Sequence, residues 1–226
     1  MRDKWFGDEK DIIKWTTLLD LADQNDIDSI LQVAYYRPDK PKILQDGDLD
    51  SDPVQLISGA NQDQPDQVIE GVVDFFDDHR DRVREKWREY NKSHSICAIE
   101  DLSDKFPVDI CVFEKPLTDR SEYRSAVLQE IKTIEDSKII FLDPDTGIEP
   151  SNCKKTHVQK QEIREYYDAI DDGDYLVLYQ HARQGESNWE QNIQDQISGL
   201  LPGNTEVSRM GLPEISSDVV LYAVGK

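Results

Sequence analysis

The chain has 226 residues, 37% of them hydrophobic, which is enough to bury one core and fits a single domain spanning residues 1–226. Its formal charge of −21, carried by acids spread along the whole length, disfavours non-specific nucleic-acid binding, which rests on clustered Lys and Arg. No apolar run approaches the roughly 18 residues a membrane span needs, and "MRDKWFGDEKDIIKW" has no apolar segment behind a basic end, so a soluble cytoplasmic protein without a membrane partner is expected.

In chain order, residues 8–25 place Ile12, Ile13, Trp15, Leu18, Leu19 and Ala22 at helical spacing, with acids in the first turn that suit the helix dipole. An apolar run rich in strand formers, "SILQVAYY", follows and is closed by Arg37-Pro38. Residues 39–66 are rich in Asp, Gln, Pro and Gly and read as a mobile loop, with a short strand at Val54–Ile57. The pattern of residues 66–91 is a long amphipathic helix with Val68, Val72, Phe75, Phe76, Val83, Trp87 and Tyr90 inward. Strands are expected at "SICAIE" and "VDICVFE", then a helix over 121–136, the strand "KIIFLD", a helix over 158–171, the strand "DYLVLYQ" and a helix over 188–201. Apolar runs alternating with helices imply crossover connections and a mostly parallel sheet with helices on both faces, an α/β Rossmann-like architecture. Two closing strands, "TEVSRM" and "DVVLYAVGK", suit an antiparallel hairpin at the sheet edge.

Cys97, Cys111 and Cys153 are too few and too scattered for a disulfide framework or a structural zinc site; two of them lie in apolar runs where a buried thiol is ordinary. Three explanations fit the acidity: hydration of the surface in a salty cytoplasm, a basic partner, or mimicry of nucleic-acid charge. The sequence leaves the oligomeric state open.

The stretch "KIIFLDPDTGIEP" carries an apolar strand into Asp143, Pro144 and Asp145. In an open parallel sheet ligands bind beyond the carboxyl ends of the strands. Turn chemistry also accounts for these residues, with Asp145 capping its own backbone and Gly147 taking a positive φ. The next strand ends in Tyr179, Gln180, His181 and Arg183, and one intervening helix makes the two strands expected neighbours. Asp143, Asp145, His181 and Arg183 are thereby directed towards one pocket. Between them lie Glu149, Lys154, Lys155 and His157, for which solvated loop positions are the plain alternative. At the start, Gly7 and Asp8 precede a helix bearing Asp11 and Lys14; Asp8 fits an N-cap, and Trp5 and Phe6 fit a hydrophobic staple or a lid.

Four segments, "FGDEKDIIKWTTLLDLA", "FLDPDTGIEP", "KKTHVQKQEI" and "DYLVLYQHARQ", resemble a set of uncharacterised bacterial and archaeal proteins with a Leu-Asp-Pro-Asp-Asn/Thr-Gly turn. More distantly, the arrangement is similar to class I S-adenosylmethionine-dependent methyltransferases, especially single-domain ribosomal-RNA adenine methyltransferases. That resemblance implies that Asp143 and Pro144 hold the amine to be methylated. It assigns S-adenosylmethionine to Gly7, Asp8, Lys14, Tyr35 and a ribose-holding acid, Glu100 or Asp101. Asp145 and Thr146 stand where the family has a second Pro and a stacking aromatic, and "VAYYRPD" stands where a Gly-rich turn is usual.

The expected function is therefore transfer of a methyl-type group to a small or nucleotide-like amine. A metal-dependent phosphohydrolase or nuclease is the alternative, with Asp143, Asp145 and His181 binding a divalent metal; "IIFLDPDTG" also echoes the Asp-x-Asp turn of haloacid-dehalogenase-type phosphatases. A third reading is a non-catalytic recognition module that contacts a basic partner.

Overall fold

The computed structural model describes residues 7, 9–36, 67–90, 95–150, 154, 157–183, 185–203 and 205–226, with side chains for all of these except 67, 80–90 and 95. The expected loop at 39–66, Trp5, Phe6, Asp8, Lys155 and Cys153, and the side chains of Val83, Trp87 and Tyr90, lie outside the described residues.

Strand β1 (Ser29–Val33) and strand β3 (Lys138–Leu142) are buried at every position, as the apolar runs require. With β2 (Asp109–Phe113), β6 (Tyr175–His181), β7 (Ser208–Met210) and β8 (Val219–Gly225) they form one sheet ordered β2-β1-β3-β6-β8-β7. Pairing is parallel from β2 to β6 and antiparallel at β6/β8 and β7/β8, so the expected crossover sheet and terminal hairpin are both present.

Helices α1 (Glu9–Gln24) and α2 (Gln67–Tyr90) cover one face, where Trp15, Leu18, Phe75 and Phe76 pack with Ile30, Phe141, Val177 and Tyr179. The other face carries α3 (Arg120–Thr133), α4 (Lys160–Ala169) and α5 (Trp189–Ser198), whose Val127, Ile163 and Ile193 belong to the core of Val33, Leu142 and Leu178. From β1 the chain proceeds through α2 to one edge of the sheet, whereas from β3 it proceeds through α4 towards the other. The strand order therefore reverses between β1 and β3, and the crevice beyond their carboxyl ends is where such sheets take ligands.

The expected strand at Ser95–Glu100 is instead a 3-10 helix over Ser95–Asp104. Ile96, Ile99 and Leu102 are buried at a spacing of three, the repeat of that helix and not the alternation of a strand. It closes the outer edge of β2: Ile110 N–H donates to Ser103 Oγ at 2.9 Å and Val112 N–H to Glu100 Oε1 at 2.8 Å. Side-chain oxygens thus take the place of a further strand. Cys111, expected in an apolar interior, is exposed on this edge strand.

The acidic turn holds a feature the sequence did not foretell, a parallel pair of two-residue strands, β4 (Gly147–Ile148) and β5 (His157–Val158). Gly147 has φ +106°, and a Cβ there would stand 2.2 Å from Gln180 Oε1. That oxygen accepts from Ile148 N–H at 2.9 Å, while Gln180 Nε2 donates to the Thr146 carbonyl at 3.2 Å. Gly147→Ala is expected to lower stability by about 2–4 kcal/mol through clash and backbone strain together. Gly173→Ala, at φ +96° but in open space, incurs only the strain and is expected to cost less; chemical denaturation of both variants checks the difference.

Candidate functional site

Asp143 continues the ladder one residue past β3, its N–H donating to the Val33 carbonyl at 3.0 Å. Its side chain turns to the α1 face and is 2% exposed. A carboxylate so buried needs donors. Gln32, a buried amide within β1, donates from Nε2 to Asp143 Oδ2 at 2.8 Å, and Lys14 Nζ lies 3.2 Å from Oδ1. The same ammonium stands 2.7 Å from Asp11 Oδ1 and 4.9 Å above the centre of the Tyr179 ring. Asp11 in turn accepts the Gly7 N–H at 2.9 Å, where Gly7 has φ +75°. Burial raises the Asp11 carboxyl above the usual range, and Asp143 adds to this, while Lys14 and the Gly7 N–H oppose it.

One turn earlier on α1, Lys10 Nζ is 2.8 Å from His181 Nε2, and the Asp218 carboxylate lies 3.3 Å from that nitrogen and 3.4 Å from Lys10. An ammonium can only donate, so the Lys10 contact is a hydrogen bond in the neutral tautomer with the proton on Nδ1, whereas the Asp218 contact is an ion pair when the ring is protonated. Burial, then the Lys10 charge, lowers the His181 pKa against the pull of Asp218. Burial alone would raise Asp218, but the Ser216 hydroxyl, Lys10 and His181 together hold it below the usual carboxylate range.

On the opposite face Tyr35, just beyond β1, has φ +46°, in the left-handed region that favours glycine. Three contacts impose it: the Tyr35 N–H donates to Tyr123 Oη at 2.9 Å, Tyr35 Oη donates to Glu162 Oε2 at 3.2 Å, and the Arg120 guanidinium lies 5.7 Å from the ring centre. Glu162 is fully buried and accepts from Arg120 Nη1 at 2.9 Å and from the Gln159 N–H at 2.8 Å. Burial raises its pKa despite the Gln159 N–H and Arg120. Burial, then the Glu162 charge, pushes the Tyr35 hydroxyl well up. Tyr166 Oη is buried here with no partner among the described residues.

The predicted residues therefore divide. Asp143, Lys14 and His181 share the α1 face, but Asp143 is bound by Lys14 and Gln32, and His181 by Lys10 and Asp218. Pro144 is buried beside Asp143, and Asp145 is half-buried in the turn. Arg183 does not join them; its Nη2 donates to the Ile148 carbonyl at 3.2 Å. Among the described residues no three His, Cys, Asp or Glu side chains converge as metal ligands, so Asp143, Asp145 and His181 do not form the expected divalent-metal set. Tyr35 and Lys14 lie in the interior, committed to protein partners. Glu100 supports the β2 edge and Asp101 pairs with His79 at 3.3 Å, so neither ends a strand. Glu149 accepts the first helical N–H of α4, at Lys160, and Lys154 N–H donates to His157 Nδ1.

The sequence reading missed Lys10, Gln32, Glu114, Arg120, Glu162 and Asp218. The i,i+4 pair in "KDIIK" and the amide flanked by apolar residues in "SILQV" were available signals for Lys10 and Gln32. Glu114, the acid directly after β2, was hidden by the false strand at 95–100. Compared with protein-family models, curated proteins and solved structures, the chain matches none. No helix among the described residues is long and apolar enough to cross a membrane.

The raised Asp11 pKa fixes the sign of a pH effect. Protonated Asp11 favours the fold fully below its unfolded pKa of about 4, and that contribution is lost as pH rises through the folded value. Asp11→Asn keeps an acceptor for Gly7 and removes this loss, so its stability relative to the native chain is expected to improve from about pH 4 towards neutrality. Lys14→Met leaves two buried carboxylates without their cation and is expected to cost about 3–5 kcal/mol at pH 7. Denaturant titrations across this pH range check both.

Proposed function

We propose that the chain is a group-transfer enzyme of methyltransferase type that takes S-adenosylmethionine and acts on an amine of a small or nucleotide-like substrate. The observation that carries this reading is the Asp143-Pro144 turn, closing β3 where the strand order reverses, with its carboxylate fixed by Lys14 and Gln32. Two further features support it. Tyr35 supplies, at the end of β1, the left-handed turn for which such folds ordinarily use glycine. The β8 strand runs antiparallel between β6 and β7, a terminal hairpin that fits the resemblance.

In this reading the cofactor supplies an electrophilic methyl group on a sulfonium. Glu114, following the strand beside β1, takes the ribose-holding role first assigned to Glu100 or Asp101. The Pro144 carbonyl and the Asp145 carboxylate orient the substrate amine, and the immobilised Asp143 sets where that turn stands; fixed orientation supplies much of the rate in such reactions. The proton that the amine releases passes to solvent at this rim, because His181 is held by Lys10 and Asp218 and its pKa is lowered. Because Thr146 replaces the aromatic that would stack on an extruded base, a small amine fits this turn better than a nucleic-acid base.

Calorimetry and thermal unfolding with S-adenosylmethionine and its demethylated product test the reading. Heat and a raised melting temperature are expected, with Glu114→Gln weakening binding about tenfold. The absence of both heat and a thermal shift at millimolar ligand would remove it.

A further inference from the structure

At the other end of the sheet, below the entrances to β1 and β2, lies a cavity of about 610 Å³, within the size range of small-molecule sites. Its floor is apolar: Leu19, Ile27 and Val108 are all buried and line it. Its wall includes the ring of Phe106, which lies against Gly71 of α2 so closely that a Cβ there would stand 2.8 Å from Phe106 Cζ. The missing side chain at Gly71 is what lets the ring lie down and the cavity stay open.

Three exposed aspartates, Asp23, Asp26 and Asp28, form the rim. The C-terminal end of α1 points there with no basic residue in its last turn, so its partial negative charge adds to theirs. Among the described lining residues the one cation is Lys105, whose ammonium is 3.9 Å from Asp78 of α2. An apolar floor, an aromatic wall and an anionic rim are complementary to one chemistry. We propose that this cavity binds a small organic cation, a primary ammonium on an apolar body, at a site separate from the switch-point crevice.

The test uses phenethylammonium, with phenethyl alcohol and phenylacetate as neutral and anionic counterparts, titrated into the full chain and followed by NMR shifts and calorimetry. The ammonium is expected to bind about tenfold tighter than the alcohol, more weakly as salt rises, with shifts confined to residues around Phe106. Asp23→Asn with Asp26→Asn, both at exposed positions that leave the fold intact, should bring ammonium and alcohol to within about twofold. Gly71→Ala, which must displace Phe106, should abolish binding of both. Equal binding of ammonium and alcohol by the native chain, preference for phenylacetate, shifts located elsewhere, or no binding would each overturn the proposal. Saturation with S-adenosylmethionine should leave the ammonium affinity unchanged, so this site and the crevice stand or fall separately.

Discussion

One buried ammonium holds the site together. Lys14 reaches from α1 to Asp143 beyond β3, to Asp11 on its own helix and to the face of Tyr179 on β6, so a helix and two strands meet at a single atom. Hydrophobic packing alone would let α1 slide over Ile30, Phe141 and Val177, because such contact is not directional. A buried ion pair adds little net stability over apolar groups of the same shape, since desolvation offsets most of the attraction. What it contributes here is position, as an ammonium with three donors has few placements that satisfy two carboxylates. The acidic turn is therefore aimed by a polar constraint inside an apolar core.

The turn is also held from the other face. Gln180 lies under Gly147 and binds the backbone on both sides of it, and β4 pairs with β5. Arg120 then accounts for β5: it donates to the His157 carbonyl at 3.0 Å while pairing with Glu162, which also receives the Gln159 N–H. Glu162 in addition accepts from Tyr35, whose left-handed backbone ends β1. Strain at Tyr35 and burial at Glu162 are both unfavourable taken singly, and each persists because the other's partners over-determine it. Both sides of the acidic turn are thus built on rigid elements, which is what the substrate orientation proposed here would demand.

The architecture was legible in the sequence because helical and strand periodicities are local signals and crossover rules leave few topologies. Periodicity failed at residues 95–104, where a short apolar run with buried positions three apart imitates a strand. The ends of β3 and β6 are neighbours as the crossover rule led one to expect, yet residue type could not say which partner each side chain takes. His181 and Asp143 lie on one face, but the residues that engage them, Lys10, Asp218 and Gln32, come from elements remote in sequence. Arg183 illustrates the limit most clearly. Its position two residues past His181 suggested the same pocket, and the chain instead uses it to satisfy the Ile148 carbonyl.

The charge distribution bears on what can approach. The interior clusters are close to balanced, with Lys14 between Asp11 and Asp143, Lys138 at 2.8 Å from Asp174, and Arg120 on Glu162. The excess of 47 acids over 26 bases is therefore a property of the rest of the chain, not of these clusters. A field of that sign raises the local concentration of cations and repels polyanions, increasingly so at low salt. A sulfonium cofactor and an amine substrate, as proposed, would approach with the field, whereas a nucleic-acid strand would approach against it. The acidity that disfavours polyanionic partners is thus in harmony with the amine acceptor proposed for the crevice and with the cation proposed at the opposite end of the sheet.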